Sequence, residues 1–76
     1  MSLTIIQLRH ELAMTQEAFG AEVGLSKGKV SIVEREQRCS IPVALAIEAL
    51  SGGRIDAATL NDDVARVRAT QRRTVA

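Results

Sequence analysis

Residues that favour helix ends divide this chain into short segments, and that division limits its fold more than any other feature. Thr15 and Ser26 are good helix N-caps, and Gly24 can end a helix in a left-handed conformation. Pro42 suits a first helical turn, whereas Gly52–Gly53 stops a helix. No stretch alternates apolar and polar residues over the length of a typical strand. The sequence therefore predicts a compact all-α domain of four or five short helices.

The apolar spacing gives approximate bounds for these helices. Ile5 and Leu8 lie on one inward stripe of the first helix, and Val30 and Val33 share the inward face of the third. Cap-like acids and amides after the glycine pair indicate one or two further short helices, and beyond about Thr70 the chain is expected to fray. The four main helices are predicted at about 3–13, 16–23, 26–34 and 42–51.

Composition excludes several classes of function. The chain has 76 residues, enough for one domain with a thin core. Phe19 is its only aromatic residue, so recognition of bases by stacked rings lacks the side chains it needs. Cys39 is the single cysteine, which excludes an internal disulfide and a cysteine zinc site. With one histidine, no glycine-rich phosphate loop and no paired carboxylates, we expect no metal, no cofactor and no enzymatic activity.

Hydropathy argues against a membrane protein. The longest apolar run, 41–50, contains Glu48 and reaches about half of the roughly 20 residues that a membrane span requires. The N-terminus has no basic-then-apolar signal pattern, and a lone cysteine suits a reducing compartment. We therefore expect a cytoplasmic protein.

Charge is nearly balanced overall but unevenly distributed. The formal net charge is +1, which argues against a strongly basic coat that binds any nucleic acid. Residues 25–40, however, contain four basic and two acidic side chains, and residues 64–76 contain four arginines and no acid. A basic face can therefore form locally.

Residues 16–34 carry the functional signal. They predict two short helices joined by a turn that contains Gly24, an arrangement that clamps two helices at a steep angle. The small Gly20 lies where the second of these helices would cross the first closely. On the second helix the outward positions are short or basic, which suits entry into a DNA major groove; they are Lys27, Gly28, Lys29, Ser31 and Ile32.

Several motifs of this chain are shared, at consistent spacing, with a known family. They are Leu8-Arg9, Thr15-Gln16-Glu17, Gly20, Gly24-Leu25-Ser26, Val30-Ser31, Val33-Glu34-Arg35 and Pro42. Through them, residues 3–50 resemble the lambda Cro/repressor type of helix-turn-helix domain, also called the XRE family. A weaker similarity over 47–60 is to the Cro-like YdaS group, which includes phage repressors and antitoxins. The resemblance implies a lambda-repressor-like fold, with the helix-turn-helix at 16–35 and the recognition helix at about 26–34.

The resemblance also implies roles for residues of the recognition helix. Lys27 and Lys29 would lie at the major groove, with Lys27 the better candidate for a guanine edge. Ser31 would touch a base or a phosphate. Ile32 departs from the family, whose members often carry a polar or basic residue there, and an exposed isoleucine on a recognition helix would press on a thymine methyl. The alternative is a solvated helix face whose lysines contact only phosphates and whose isoleucine serves plain packing.

Phosphate contacts are implied for residues on either side of that helix, namely Gln16, Ser26, Arg35, Gln37, Arg38 and Ser40. Each of them is ordinary polar surface in the alternative interpretation. Arg9 and Glu34 match positions that form an inter-helix ion pair in the family, so they are expected to be structural. Glu36 stands where the family commonly has Gly, which predicts a strained left-handed residue at that position. The alternatives are that the loop follows a different path or that Glu36 pairs with Arg38.

Two functions remain open at this point. The first is a sequence-specific transcriptional regulator, a Cro-like repressor that binds a double-stranded DNA operator as a homodimer. Residues 1–53 would then bind DNA, and residues 54–76 would be a C-terminal extension with a basic tail that dimerises through Ile55, Leu60, Val64 and Val67. The alternative is a protein-interaction module, such as an antitoxin or accessory subunit, that uses the same scaffold to bind a protein partner. The low net charge and the acidic Glu36 favour that alternative.

Overall fold

A computed structural model describes the backbone of residues 3–75 and the side chains of residues 3–71. Within that part of the chain every regular element is helical, which confirms the predicted all-α class. The elements in order are α1 (Ile5–Glu11), α2 (Gln16–Val23), α3 (Lys27–Glu36), α4 (Ile41–Leu50), a 3₁₀ turn (Ala57–Thr59) and α5 (Asp62–Val75).

The helix starts follow from local hydrogen bonds. The Thr15 hydroxyl accepts a bond of 3.1 Å from the amide of Ala18 at the start of α2, and Gly24 ends that helix at a φ of 83°. Ser26 caps α3 in the same way, as predicted. The first helix is shorter than predicted, because Thr4 and Gln7 form a capping box that starts it at Ile5.

The end of α3 differs from the prediction. The helix continues through Glu36, and the left-handed residue is Gln37, at a φ of 56°. The Gln37 side-chain amide donates a hydrogen bond of 2.7 Å to the carbonyl of Glu34, which satisfies a free carbonyl at the helix end. The expectation of a strained Glu36 is therefore wrong. Pro42 also lies one position later than expected, at the second residue of α4.

The core is aliphatic apart from one ring. Phe19, Ile5, Leu8, Ile47 and Val30 are fully buried, so α1 to α4 all contribute to it. The packing of α2 against the turn and α3 requires glycine at position 20, because a Cβ there would lie 2.3 Å from the carbonyl oxygen of Leu25 in the turn and 3.0 Å from Val30 Cγ2 on α3. This contact bears out the close approach predicted at that residue.

The segment after the glycine pair packs onto the same core. The side chains of Ile55, Leu60 and Val64 are at most 8% exposed, since the 3₁₀ turn packs on α4 and α5 packs on the turn. These three residues were expected to meet a second copy, and that expectation is wrong, because the chain buries them itself. Of the predicted interface, Val67 alone is exposed, at 56%. The backbone of α5 also stays helical through Val75, further than predicted.

A cluster around Arg68 fastens α5 to the rest of the molecule. Its guanidinium lies 2.7 Å from the carboxylate of Glu48 on α4 and also contacts Asp56 before the 3₁₀ turn. The Glu48 carboxylate accepts a further hydrogen bond of 3.0 Å from the amide of Ala57. The Arg68 guanidinium, and to a lesser extent that amide, lowers the pKa of Glu48 to about 2.

Among the described residues, none of the helices has the length and apolar character needed to cross a membrane.

Candidate nucleic-acid interface

The outer face of α3 presents every residue that the sequence placed there. Val30 and Val33 point into the core, which leaves the rest of the first two turns in solvent. Ile32 is 44% exposed although it is a large apolar side chain. The exposed set comprises Lys27, Gly28, Lys29, Ser31 and Ile32. No atom lies near Gly28 where a Cβ would be, so α3 has an open and flat surface at this point.

Ion pairing separates the two lysines from the other basic residues. Among the residues whose side chains the structure describes, each of the six arginines has a carboxylate within 4 Å: these are Arg9, Arg35, Arg38, Arg54, Arg66 and Arg68. In the same part of the chain, Lys27 and Lys29 have no such partner. Among the described side chains, the positive charge without an acidic partner is therefore concentrated at the start of α3.

A hydrogen-bonded cluster of Glu34, Arg9 and Gln16 holds α3 against the first two helices. Glu34 is 7% exposed and accepts two hydrogen bonds, one of 2.6 Å from Arg9 Nε and one of 2.9 Å from Gln16 Nε2. Arg9 also donates to the carbonyl of Met14 at 3.1 Å. The ion pair that the family resemblance implied between Arg9 and Glu34 is thus present in the structure.

The position of Gln16 adds a feature that sequence reasoning missed. Its side-chain amide, expected to contact a phosphate, bonds to Glu34 within the molecule. One amide proton and the backbone at the start of α2 stay available to a ligand, since a primary amide has two donors. A glutamine in the first turn of α2 and a glutamate on the inward side of α3 were the only signals for this bond.

The loop after α3 contains the other predicted phosphate ligands, and most of their side chains already have a partner within the molecule. Arg38 lies 2.9 Å from Asp62 at the start of α5, with both side chains well exposed. Arg35 approaches Glu36 at 3.7 Å. The Gln37 side-chain amide donates to the carbonyl of Glu34, as described above. Ser26 and Ser40 are exposed and are the N-cap residues of α3 and α4. The hydroxyl of Ser40 makes no capping bond.

Two hydrogen bonds attach this loop to the C-terminal segment. The amide of Cys39 donates to the carbonyl of Leu60 at 3.1 Å, and Asn61 Nδ2 donates to the carbonyl of Cys39 at 2.8 Å. Burial raises the pKa of the Cys39 thiol, which makes a nucleophilic thiolate less accessible at neutral pH. The loop that follows the candidate recognition helix is therefore positioned by residues more than 20 positions later in the chain.

A shallow apolar groove of about 360 Å³ lies between α3 and this loop. Ile32 and Cys39 line it from opposite sides, with Leu25, Lys29, Val33 and Ser40. No group of three or more histidine, cysteine, aspartate or glutamate side chains that could hold a metal ion occurs in the described part of the chain.

Comparisons with protein-family models, with curated proteins and with solved structures gave no match to this chain.

Proposed function

We propose that this chain is a sequence-specific double-stranded DNA-binding regulator, of the Cro-like repressor kind, that reads the major groove with α3 as a homodimer. The observation that carries the proposal is the charge of α3. Its exposed first turn contains the two lysines without an acidic partner, next to a glycine and a serine that leave room for a close approach. A helix that enters the major groove needs such a short, basic N-terminal face.

The surroundings of α3 supply the remaining parts of such an interface. The hydrogen-bonded cluster of Glu34, Arg9 and Gln16 fixes the recognition helix relative to α1 and α2. The start of α2 and the loop after α3 lie on either side of the lysines in the chain, and both carry backbone amides and side-chain donors for phosphates. Lys27 is assigned to base edges, and Arg35 and Arg38 to phosphates.

A protein-interaction module remains the second candidate, and two observations favour it. Ile32 is exposed beside an apolar groove, which a protein side chain could fill as well as a thymine methyl. On α2, Glu17 and Glu22 are exposed, and neither has a cation within 4 Å among the described side chains. Unpaired acids near a DNA backbone weaken binding by repulsion.

The test is a selection of preferred duplexes from a random double-stranded DNA library, followed by binding titrations at about 50 and 200 mM salt. We expect one enriched sequence that binds about 10³-fold or more tightly than a scrambled duplex. Lys27→Ala should cost roughly 1–3 kcal/mol on the enriched duplex and much less on the scrambled one.

Arg54→Ala is the matched control, because it also removes one positive charge but from a residue paired with Glu11 on α1. We expect it to weaken binding to both duplexes slightly and equally. Absence of enrichment, together with weak and sequence-independent binding, would exclude the DNA-reading function and leave the protein-interaction candidate.

A further inference from the structure

The groove of about 360 Å³ between α3 and the loop after it is apolar inside and basic at its edge. Ile32 lines it from α3, and Cys39 lines it from the loop. Lys29, which also lines it, is exposed and has no acidic partner among the described side chains. None of the described residues around the groove is acidic. The groove therefore matches an occupant that presents an apolar group within a negatively charged framework.

We propose that this groove accepts the C5-methyl group of one thymine in each half-site of the operator, and that Ile32 makes the contact. The inference rests on the proposed function and names a base that α3 distinguishes. A thymine methyl projects into the major groove of B-DNA, whose two strands carry a phosphate at every nucleotide. It is therefore an apolar group within a negatively charged framework, the combination that the groove matches.

The register of α3 places Ile32 at the border between the outer face of the helix and the groove. Gly28, Ile32 and Arg35 are spaced i, i+4 and i+7, so they share one exposed stripe. Lys29 and Val33 each follow one position later and line the groove. A Cβ at Gly28 would meet no atom within 4 Å, so a base pair has room to approach the helix there. One turn further along, the methyl group of that pair lies beside Ile32 at the mouth of the groove.

The chemistry of Ile32 limits what it distinguishes. Its side chain has no hydrogen-bonding group, so it responds to the methyl group of thymine and not to the O4 acceptor. One buried methyl group corresponds to about a fourfold difference in affinity. A cytosine that carries a C5-methyl group should therefore replace this thymine better than unmodified cytosine does.

An apolar side chain of a protein partner is the competing occupant of the groove. It would match the apolar lining, but it brings no negative charge for the amine of Lys29. In a DNA complex, by contrast, phosphates flank every base, and Lys29 is assigned to one beside the thymine. The unpaired charge at the edge of the groove therefore favours the thymine methyl.

Uracil replacement tests the contact one methyl group at a time. In a single half-site of the enriched duplex, each thymine is replaced in turn by uracil, which removes the methyl group and keeps the hydrogen-bonding groups. We expect one position at which the affinity of wild type falls about fourfold, while Ile32→Ala shows no further loss there. Uracil effects that are absent, or equal in wild type and Ile32→Ala at every position, would overturn the proposal.

Ile6→Ala is the matched control for that scan. Ile6 is 40% exposed, close to the 44% of Ile32, but it lies on α1 and does not line the groove. This variant should keep the full uracil effect at the responsive position. Thermal melts establish that both alanine variants are folded.

Methylated cytosine shows whether the methyl group itself is recognised. Replacing the responsive T·A pair by C·G should weaken binding, and C5-methylation of that cytosine should recover about fourfold in wild type and nothing in Ile32→Ala. Methylation of a cytosine at another position of the half-site is the control. Recovery that does not depend on Ile32 would contradict its assigned role.

A thymine with a ¹³C-labelled methyl group identifies the occupant of the groove directly. In the complex we expect nuclear Overhauser effects from this methyl group to the methyl groups of Ile32 and to the β-protons of Cys39. A labelled methyl group that contacts neither residue would overturn the proposal.

The outcomes separate this inference from the proposed function. Absence of any enriched duplex would overturn both and leave the groove to a protein side chain. An enriched duplex whose binding shows no methyl effect dependent on Ile32 would leave the DNA-reading function standing and overturn this inference alone.

Discussion

Asn61 connects two ends of the molecule: its side-chain amide donates to the carbonyl oxygen of Cys39, and its side-chain oxygen accepts from the amides of Asp63 and Val64. The first bond fixes the loop after α3, and the second pair caps α5. One residue therefore couples the start of α5 to the loop beside the proposed recognition helix.

Substitutions at Asn61 can separate these two contributions. Asn61→Ala removes both and should lower the free energy of unfolding by about 2 kcal/mol, since a lost cap and an unpaired carbonyl each cost about 1 kcal/mol. Asn61→Asp keeps the capping oxygen but cannot donate to Cys39, so a loss of about 1 kcal/mol is expected. Urea unfolding measures both values. An Asn61→Asp protein as stable as wild type would show that the bond to Cys39 contributes nothing.

Two glycines within helices should respond in opposite directions to alanine. Gly20→Ala places a methyl group against the backbone of Leu25, so we expect a loss of about 2 kcal/mol or more. Gly28→Ala meets open space and should increase stability by up to about 1 kcal/mol through helix propensity. Thermal melts of the two variants give the comparison. Equal destabilisation would contradict the packing at the α2–α3 crossing.

The end of α3 gives a second contrast between neighbours. Glu36 lies in the last helical turn, so Glu36→Gly should lower stability by roughly 0.5–1 kcal/mol. Gln37→Gly relieves the left-handed conformation by about 1 kcal/mol but removes a hydrogen bond of about the same value, so little net change is expected. Chemical denaturation of the two variants tests this order. A stabilising Glu36→Gly would restore the expectation from the family pattern.

Local chemistry explains which parts of the fold the sequence predicts. The caps at Thr15 and Ser26 and the turn at Gly24 depend on residues within four positions, and these boundaries were predicted correctly. The exposed face of α3 follows from helical periodicity alone. The end of α3 was misplaced because the motif pattern indicated a glycine position, whereas the side chain of Gln37 stabilises a left-handed residue one position later.

Contacts between distant parts of the chain lay beyond sequence reasoning. The burial of Ile55, Leu60 and Val64 depends on where the chain returns after Gly53, and no local pattern distinguishes a core residue from an interface residue there. The bond from Gln16 to Glu34 spans 18 positions, and that from Arg68 to Glu48 spans 20. Each was unpredictable because it requires the relative placement of two helices.

Stability should depend on acid through Glu48. Its pKa is lowered from 4.5 to about 2 by Arg68 and the Ala57 amide, so its charged form stabilises the fold. That contribution is complete above the unfolded value near 4.5 and is lost as the pH falls towards about 2.

The Glu48→Gln variant isolates this contribution. The difference in melting temperature from wild type should shrink steadily between pH 5 and about pH 2, because wild type loses the carboxylate there. Glu17→Gln, at an exposed site with no cation partner among the described side chains, is the control, since it makes the same change of side chain away from Arg68. A Glu48→Gln difference that does not change with pH would show that Arg68 derives no stability from the charge of Glu48.

The pairing of Arg38 with Asp62 predicts a competition, provided that the loop after α3 binds phosphates. Asp62 lies 2.9 Å from the guanidinium and is 74% exposed, so a DNA phosphate would have to displace it. Exposed pairs contribute roughly 0.2–1 kcal/mol, so Asp62→Asn should tighten binding to a duplex with a single half-site up to about fivefold at low salt. The gain should vanish at about 1 M salt, where the screening length is near 3 Å.

Asp63→Asn is the control, since it makes the same change of charge beside Arg66 on α5 and away from the loop. A similar gain in both variants would reflect net charge alone, and no gain in either would show that Arg38 does not contact phosphate.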